Sequence, residues 1–304
     1  MAIKILINGY YRSGTTMLFN QVNQSLPSNY IGFYEPCYPL LGLVVRNEEP
    51  NKISKLHGST LWKSYQNLDE SDFIKLLRNH PNTNKLGIAN DKALLQYLDV
   101  FNGFNKDSFL QTNRYHLFLE EIKKEYSPTL FHIIRDPNSV YDSIKKAYTG
   151  NTSGIKKIIK KIRLAFGPGD FFGNKTEFSY LIQKTGKPKV IYQNWKLKYF
   201  SKPNFYERVI INWTLSNYYA LQSIARNGDK LIVYEEMMKQ PTKVFSEISQ
   251  LLGFIVAQPQ ELRNQEYSPL LSKKTLLYNT IQKFKLEQEF EYINEQIKYS
   301  GIQY

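Results

Sequence analysis

The run "IKILINGYYRSGTT" (3–16) constrains the fold of this chain more than any other stretch. "AIKILING" (2–9) reads as a buried strand of β-branched residues that ends at Gly9, and residues 15–25 then place apolar or small side chains at helical spacing. Strand, glycine-containing turn and helix together open a βαβ unit, and such units assemble into a mostly parallel sheet covered by helices. The turn also carries chemistry: glycines free consecutive backbone N–H groups, and the following helix N-terminus aims them at an anion.

The rest of the chain continues the alternation. "NYIGFYEP" (29–36) reads as a second strand stopped by Pro36, "SFLQT" (108–112) as a third, "TLFHII" (129–134) as a fourth and "KLIVYEE" (230–236) as a fifth. "RYHLFLEEIKKEY" (114–126) has an amphipathic helical pattern. Another helix follows "RDP" (135–137), where Pro137 suits a first-turn position, and "PTKVFSEISQLLG" (241–253) has proline at its start and glycine past its end. Two longer regions, about 37–107 and 145–202, interrupt the scheme. The expectation is an α/β fold: a P-loop-like, mostly parallel sheet with helices on both faces and helical insertions at the ligand edge. No Gly/Ser-rich linker or internal repeat divides residues 1–304, so a single domain is expected.

Composition narrows the class further. With 42% hydrophobic and 14% aromatic residues the chain is not intrinsically disordered. No run of about 18 apolar residues exists and the first strand starts at residue 3, so neither a signal peptide nor a membrane span is expected. The single cysteine, Cys37, makes no internal disulfide, which agrees with a reducing, cytoplasmic setting. The formal charge of +13 is concentrated: from Lys145 to Lys202 there are 14 Lys and Arg against Asp170 and Glu177, a local excess of +12. A localised basic field concentrates anionic ligands, so an anionic partner is implied.

The loop "GYYRSGTT" (9–16) has the Gly-x4-Gly spacing of a phosphate cradle but places Thr15 where a nucleoside triphosphatase carries lysine. Its cation is Arg12, two residues before Gly14. Ser13, Thr15 and Thr16 offer hydroxyls, yet the lysine that bridges the last two phosphates of a triphosphate is missing, so a triphosphate is not the expected ligand. The four histidines, His57, His80, His116 and His132, are scattered, and no metal site is expected.

These residues carry a resemblance. "YRSGTTML" resembles the 5′-phosphosulfate loop of sulfotransferases that use 3′-phosphoadenosine 5′-phosphosulfate (PAPS), in the RSGTT form of the carbohydrate and tyrosyl-protein branches. "FHIIRDPNSVYDSI" (131–144) resembles the 3′-phosphate motif of the same family, with Arg135 and Ser143 at the matching positions. "KLIVYEEMMKQPTKVFSEISQLLGF" (230–254) looks like the strand–helix segment that follows. The resemblance implies a PAPS-dependent sulfotransferase that needs no metal. In it, Arg12, Ser13, Gly14, Thr15 and Thr16 hold the 5′ end of the donor, and Arg135 and Ser143 hold its 3′-phosphate. "SKKTL" (272–276) sits where the family has a late basic loop, which adds Lys273.

Such a reaction needs cations for the charge developing on the leaving phosphate and a base for the acceptor hydroxyl. Glu35 of "FYEP" (33–36) matches the family's strand-end glutamate and is the candidate base, with His57 as the other candidate. The acceptor expected is a carbohydrate or glycolipid. The basic segment interleaves its cations with Tyr148, Phe166, Phe171, Phe172, Tyr180, Tyr192, Trp195 and Tyr199. That composition suits an anionic sugar chain, or an anionic membrane surface through the amphipathic run "IKKIIKKIR" (155–163); no nucleic-acid module accompanies it. Two other functions use the same sequence: a kinase-like phosphotransferase, and a non-catalytic polyanion- or membrane-binding protein on this scaffold.

Overall fold

The computed structural model describes residues 2–38, 41–46, 59–81, 91–149, 181, 203–227, 229–259 and 274–300. His57, Lys273, the amphipathic run 155–163 and nearly all of the basic segment lie outside the described residues. Five strands, β1 (Ile3–Gly9), β2 (Tyr30–Tyr34), β3 (Asp107–Thr112), β4 (Thr129–Ile134) and β5 (Lys230–Val233), form one sheet in the order β2-β3-β1-β4-β5. Every pairing is parallel. Successive residues of β1, β3 and β4 point to opposite faces, and nearly all are buried, so both faces of the sheet are covered.

Helix α1 (Thr15–Gln24) follows the glycine loop as expected and buries Leu18, Phe19 and Val22. The described residues of the first insertion form α2 (Leu41–Arg46), a 3-10 turn (Ser59–Trp62), α3 (Lys63–Gln66), α4 (Glu70–Asn79) and α5 (Asp91–Asn102). Asp69 starts α4 by accepting from the backbone N–H of Asp72 at 2.8 Å. Helix α7 (Pro137–Thr149) starts at the expected proline, and "PTKVFSEISQLL" forms α10 (Pro241–Leu252), closed by Gly253 at φ 73°.

Two boundaries differ from the sequence expectation. The helix expected over 114–126 begins only at Leu119, as α6 (Leu119–Tyr126). Residues 113–118 instead form a turn, because Tyr115 and His116 are drawn inward: Tyr115 OH lies 3.0 Å from Cys37 Sγ and His116 Nδ1 lies 3.2 Å from Asn8 Nδ2. The strand expected over 230–236 stops at Val233, and Tyr234 opens the short helix α9 (Tyr234–Lys239). Its first turn holds Glu235 and Glu236, which suit the positive end of a helix.

Helix α8 (Phe205–Asn227), 23 residues long, was not legible in the sequence. It packs against β4, β5, α6 and α7 and against two C-terminal helices, α11 (Lys274–Lys283) and α12 (Glu287–Tyr299). Asn212, Thr214, Ser216 and Asn217 are buried beside Ile210, Ile211, Trp213 and Leu215, so the helix lacks a polar face at its centre. A helix covered on every side carries no amphipathic stripe to read.

Candidate active site

In the order 2-3-1-4-5, the chain leaving β1 turns toward β2 and β3, while the chain leaving β4 runs toward β5. The carboxyl ends of β1 and β4 therefore border a topological switch point, where open parallel sheets leave a crevice for ligands. The glycine loop follows β1 and Arg135 follows β4, so the fold brings both predicted anion elements to that crevice. His132 and Ile133 of β4 lie in register with Asn8 and Gly9 of β1.

The loop is shaped by two left-handed residues. Gly14 has φ 101°, and a Cβ there would stand 2.4 Å from Cδ2 of Tyr234, so only glycine fits. Arg12 has φ 65°, a region that a long side chain enters only under strain. Its Nε donates to Ser143 Oγ at 3.0 Å, and its carbonyl oxygen accepts from Arg135 Nη1 at 3.1 Å. Burial lowers the Arg12 guanidinium from its usual value, with Tyr34 and Tyr234 opposing and Arg135 adding to the effect. Ser13 is buried, and its Oγ has no hydrogen-bond partner among the described residues.

Arg135 is fixed from three directions. Its guanidinium carbon lies 4.3 Å from the centre of the Tyr234 ring, and its carbonyl accepts from Trp213 Nε1 at 2.9 Å, in addition to the bond to Arg12. Tyr234 thus touches both anion elements, with its ring edge on Gly14 and its face under Arg135. Asp136 caps α7 by accepting from the Ser139 N–H at 2.7 Å, and its own N–H donates to Glu235 Oε1 at 3.0 Å. The Asp136 carboxylate occupies the first turn of α7, while Ser143, in the second turn, meets Arg12 at the side of that helix.

Glu35 lies at the carboxyl end of β2 with φ 45°, the third predicted site residue in the left-handed region after Arg12 and Gly14. It is 4% exposed. Its Oε1 accepts from Asn113 Nδ2 and its Oε2 from Arg114 Nη1. Burial raises the Glu35 carboxyl above its usual value, and the Arg114 charge and bonds from Gln111, Arg114 and Asn113 oppose the rise. Thr15 Oγ1 donates to Asn113 Oδ1 at 2.8 Å, and Thr16 Oγ1 lies 2.9 Å from Tyr34 OH. The hydroxyl proton of Thr15 is therefore committed to the protein. Cys37 is buried and its thiol is pushed up to about 12, which leaves it a packing residue.

Beneath these elements runs a buried polar ladder. Asn217 Nδ2 donates to the Trp213 carbonyl at 2.7 Å, so its Oδ1 must accept from His132 Nε2, 2.9 Å away. His132 Nδ1 is then an acceptor and takes one proton of Asn8 Nδ2 at 3.0 Å, while His116 Nδ1 takes the other at 3.2 Å. His132 is neutral with the proton on Nε2, and His116 is neutral as well. Burial holds His132 down at about 4; burial, with His132 beside it, holds His116 down at about 3. The ladder joins β1, β4, the turn after β3 and α8 at the root of the crevice.

Arg12, Ser143, Arg135 and Gly14 are thus brought together, and Glu35 stands beside Thr15 through Asn113. Sequence reasoning missed Asn113, Trp213, Tyr234 and Glu235. Asn113 and Arg114 stand directly after β3 in "TNRYH" (112–116), a stretch that the sequence singles out without tying it to Glu35. Among the described residues no group of three His, Cys, Asp or Glu is arranged to hold a metal ion, and no helix is long and apolar enough to cross a membrane.

No family model matches the chain. It is 28% identical over 270 residues to an uncharacterized protein of Archaeoglobus fulgidus, covering 83% of this chain and 84% of that protein. Among solved structures it is similar to the sulfotransferase domain from the curacin biosynthetic pathway, at 14% identity, TM-score 0.45 and 98% of each chain. It is also similar to a sulfotransferase from Alicyclobacillus acidocaldarius, at 13% identity, TM-score 0.43, 94% of this chain and 95% of that one. Likeness at this level carries no information on chemistry, which is read from this chain's own residues.

Proposed function

We propose that this protein transfers a sulfuryl group from PAPS to a hydroxyl of a carbohydrate or glycolipid acceptor. The observation that carries the reading is the meeting of Arg12, Ser143 and Arg135, from two separate motifs, at the side of a loop in which Gly14 admits no side chain. A ligand with one phosphate needs one such element; two cationic elements side by side suit a ligand with two separated anionic groups. The residues fit such a donor: Gly14, at φ 101°, gives the loop the left-handed turn ahead of α1, and Ser13 Oγ is a buried hydroxyl without a partner among the described residues.

PAPS supplies an activated sulfuryl group on a phosphate leaving group. Arg12 and the loop amides hold the 5′ end and take up charge on the leaving oxygen, and Arg135 with Ser143 selects the 3′-phosphate. Glu35 accepts the acceptor's hydroxyl proton on a carboxylate oxygen. The excess of +12 over residues 145–202 supports an acceptor that itself carries carboxylate, phosphate or sulfate groups. No lysine follows Gly14 in the loop, which disfavours a phosphotransferase acting on a triphosphate.

Calorimetric titration with 3′,5′-bisphosphoadenosine, adenosine 5′-monophosphate and magnesium ATP tests the reading. Binding of the bisphosphate at least about tenfold tighter than of the monophosphate, about 1.4 kcal/mol, with the preference abolished in Arg135→Ala, is the expected result. Equal binding of the two nucleotides would overturn it.

A further inference from the structure

We propose that Arg114 is a positioning residue that holds the buried Glu35 as a carboxylate, and that Asn113 is the link through which the phosphate loop fixes where that carboxylate points. The proposal rests on the sulfuryl-transfer reading for its purpose, but its geometry stands independently. The Glu35 side chain is 5% exposed and that of Arg114 9%, so the pair is nearly dry and each charge needs the other. Arg114 Nη1 donates to Oε2 and Asn113 Nδ2 to Oε1, so the two oxygens are held separately and the carboxylate plane is fixed. Asn113 Oδ1 in turn accepts from Thr15 Oγ1 at 2.8 Å and from Gln111 Nε2 at 3.3 Å. Thr15, Asn113, Glu35 and Arg114 form one continuous chain from the donor loop to the base.

A carboxyl in such a place is a useful base only if it is ionised before the acceptor arrives. Burial alone favours the neutral acid, and Arg114 is the cation that opposes it. Among the described residues, the other titratable groups facing Glu35 are Tyr34, Cys37 and Tyr38 from its own segment and Tyr65 of α3. Burial pushes each of these upward, so all four are neutral at pH 7. Gln111 and Asn113 contribute amide dipoles only. Arg114 is therefore the charge that decides the state of Glu35. Its guanidinium carbon also lies 5.3 Å from the centre of the Tyr11 ring, so the loop before Arg12 supports it from the other side.

The chain of bonds implies a coupling. The Thr15 hydroxyl has one proton, which it donates to Asn113; a phosphate seated in the loop competes for that proton. Seating the donor then changes what Asn113 Oδ1 accepts and shifts the environment of Glu35.

The test needs no acceptor. Protein labelled with 13C at glutamate Cδ is titrated by NMR, with the Glu35 resonance assigned by its loss in Glu35→Gln. In Arg114→Gln the Glu35 titration midpoint is expected to rise by about one to three pH units, and in Arg114→Lys, which keeps the charge and serves if the first variant fails to fold, by less. A midpoint unchanged in whichever variant is folded would overturn the role of Arg114. Saturating 3′,5′-bisphosphoadenosine is expected to move the Glu35 resonance in the wild type and not in Asn113→Ala; an unmoved wild-type resonance with the nucleotide bound would overturn the link. Absence of nucleotide binding would sink the sulfuryl-transfer reading and, with it, the link, while the Arg114 titrations would still decide their own question.

Discussion

Arg12 and Ser143 stand 131 residues apart in the chain and are joined by a 3.0 Å hydrogen bond from Nε to Oγ. That bond ties the loop after β1 to the second turn of α7. Its removal in Ser143→Ala is expected to weaken 3′,5′-bisphosphoadenosine binding about 10- to 150-fold, the range for a hydrogen bond to a charged group. Adenosine 5′-monophosphate, which lacks the 3′-phosphate, is expected to lose less, only the share that passes through Arg12. Paired calorimetric titrations check this, and an equal loss for both nucleotides would refute the assignment of Ser143.

Two glycines with left-handed backbones separate steric fit from backbone strain. At Gly14, φ is 101° and an added Cβ would meet the Tyr234 ring at 2.4 Å; at Gly253, φ is 73° and nothing lies within 4 Å. Gly253→Ala is expected to cost about 1 kcal/mol of stability and leave nucleotide binding intact. Gly14→Ala is expected to cost about 2 kcal/mol or more and abolish nucleotide binding, because Tyr234 must move off Arg135. Urea unfolding and titration of both variants measure the contrast.

Glu235 gives a pH dependence. Burial, and to a lesser degree the nearby Asp136, push its carboxyl up to about 7; Glu235 Oε2 and Asp136 Oδ2 both lack a hydrogen-bond partner among the described residues. The folded state therefore binds a proton that the unfolded state gives up near pH 4.5. The stability from the protonated carboxyl is fully present below that pH and is lost as the pH rises through about 7. Glu235→Gln keeps an acceptor for the Asp136 N–H, and its stability advantage over the wild type is expected to grow over this window to about 3 kcal/mol and then level off. Chemical denaturation at several pH values follows the difference, and a constant gap would show that Glu235 is ionised at pH 6.

The histidine ladder gives the opposite slope. His132 is held down at about 4 and His116 at about 3, whereas both regain ordinary basicity on unfolding. Their stabilising contribution is present above pH 6.5 and is lost as the pH falls, by about 3 kcal/mol for each at pH 4. Long-range 15N–1H spectra at pH 7 are expected to show both rings neutral, with the His132 proton on Nε2. A charged ring at pH 5.5, or a proton on Nδ1 of His132, would contradict the ladder.

The parts of the site that were legible in the sequence are those set by local pattern. The loop at 9–16 and the "RDP" turn each announce a strand end, a turn and a helix start within a dozen residues, and the parallel sheet follows from repeating that unit. Glu35 was legible only as a position; its partners Asn113 and Arg114 lie 78 and 79 residues further on, and their proximity is a product of β2 pairing with β3. Helix α8 was illegible because buried Asn212, Thr214, Ser216 and Asn217 break the pattern of apolar residues. The buried asparagine and threonine are explained only by partners beyond their own positions: Asn217 serves His132, and Thr214 Oγ1 donates to the Ile210 carbonyl at 2.8 Å. The start of α9 was hidden because "VYEE" suits a strand end and a helix start equally well.

The sheet order also has a consequence for the newborn chain. β1 is synthesised before the other four strands, yet it occupies the centre of the sheet, and the backbone of Ala2 at its edge is fastened to Asp107, 105 residues later. At about 5–20 residues per second, a ribosome needs roughly 5–20 s to deliver the first neighbour of this Ile-rich strand. During that interval β1 has no neighbouring strand to pair with, so the emerging chain depends on shielding by the exit tunnel, α1 or a holding chaperone until β3 arrives.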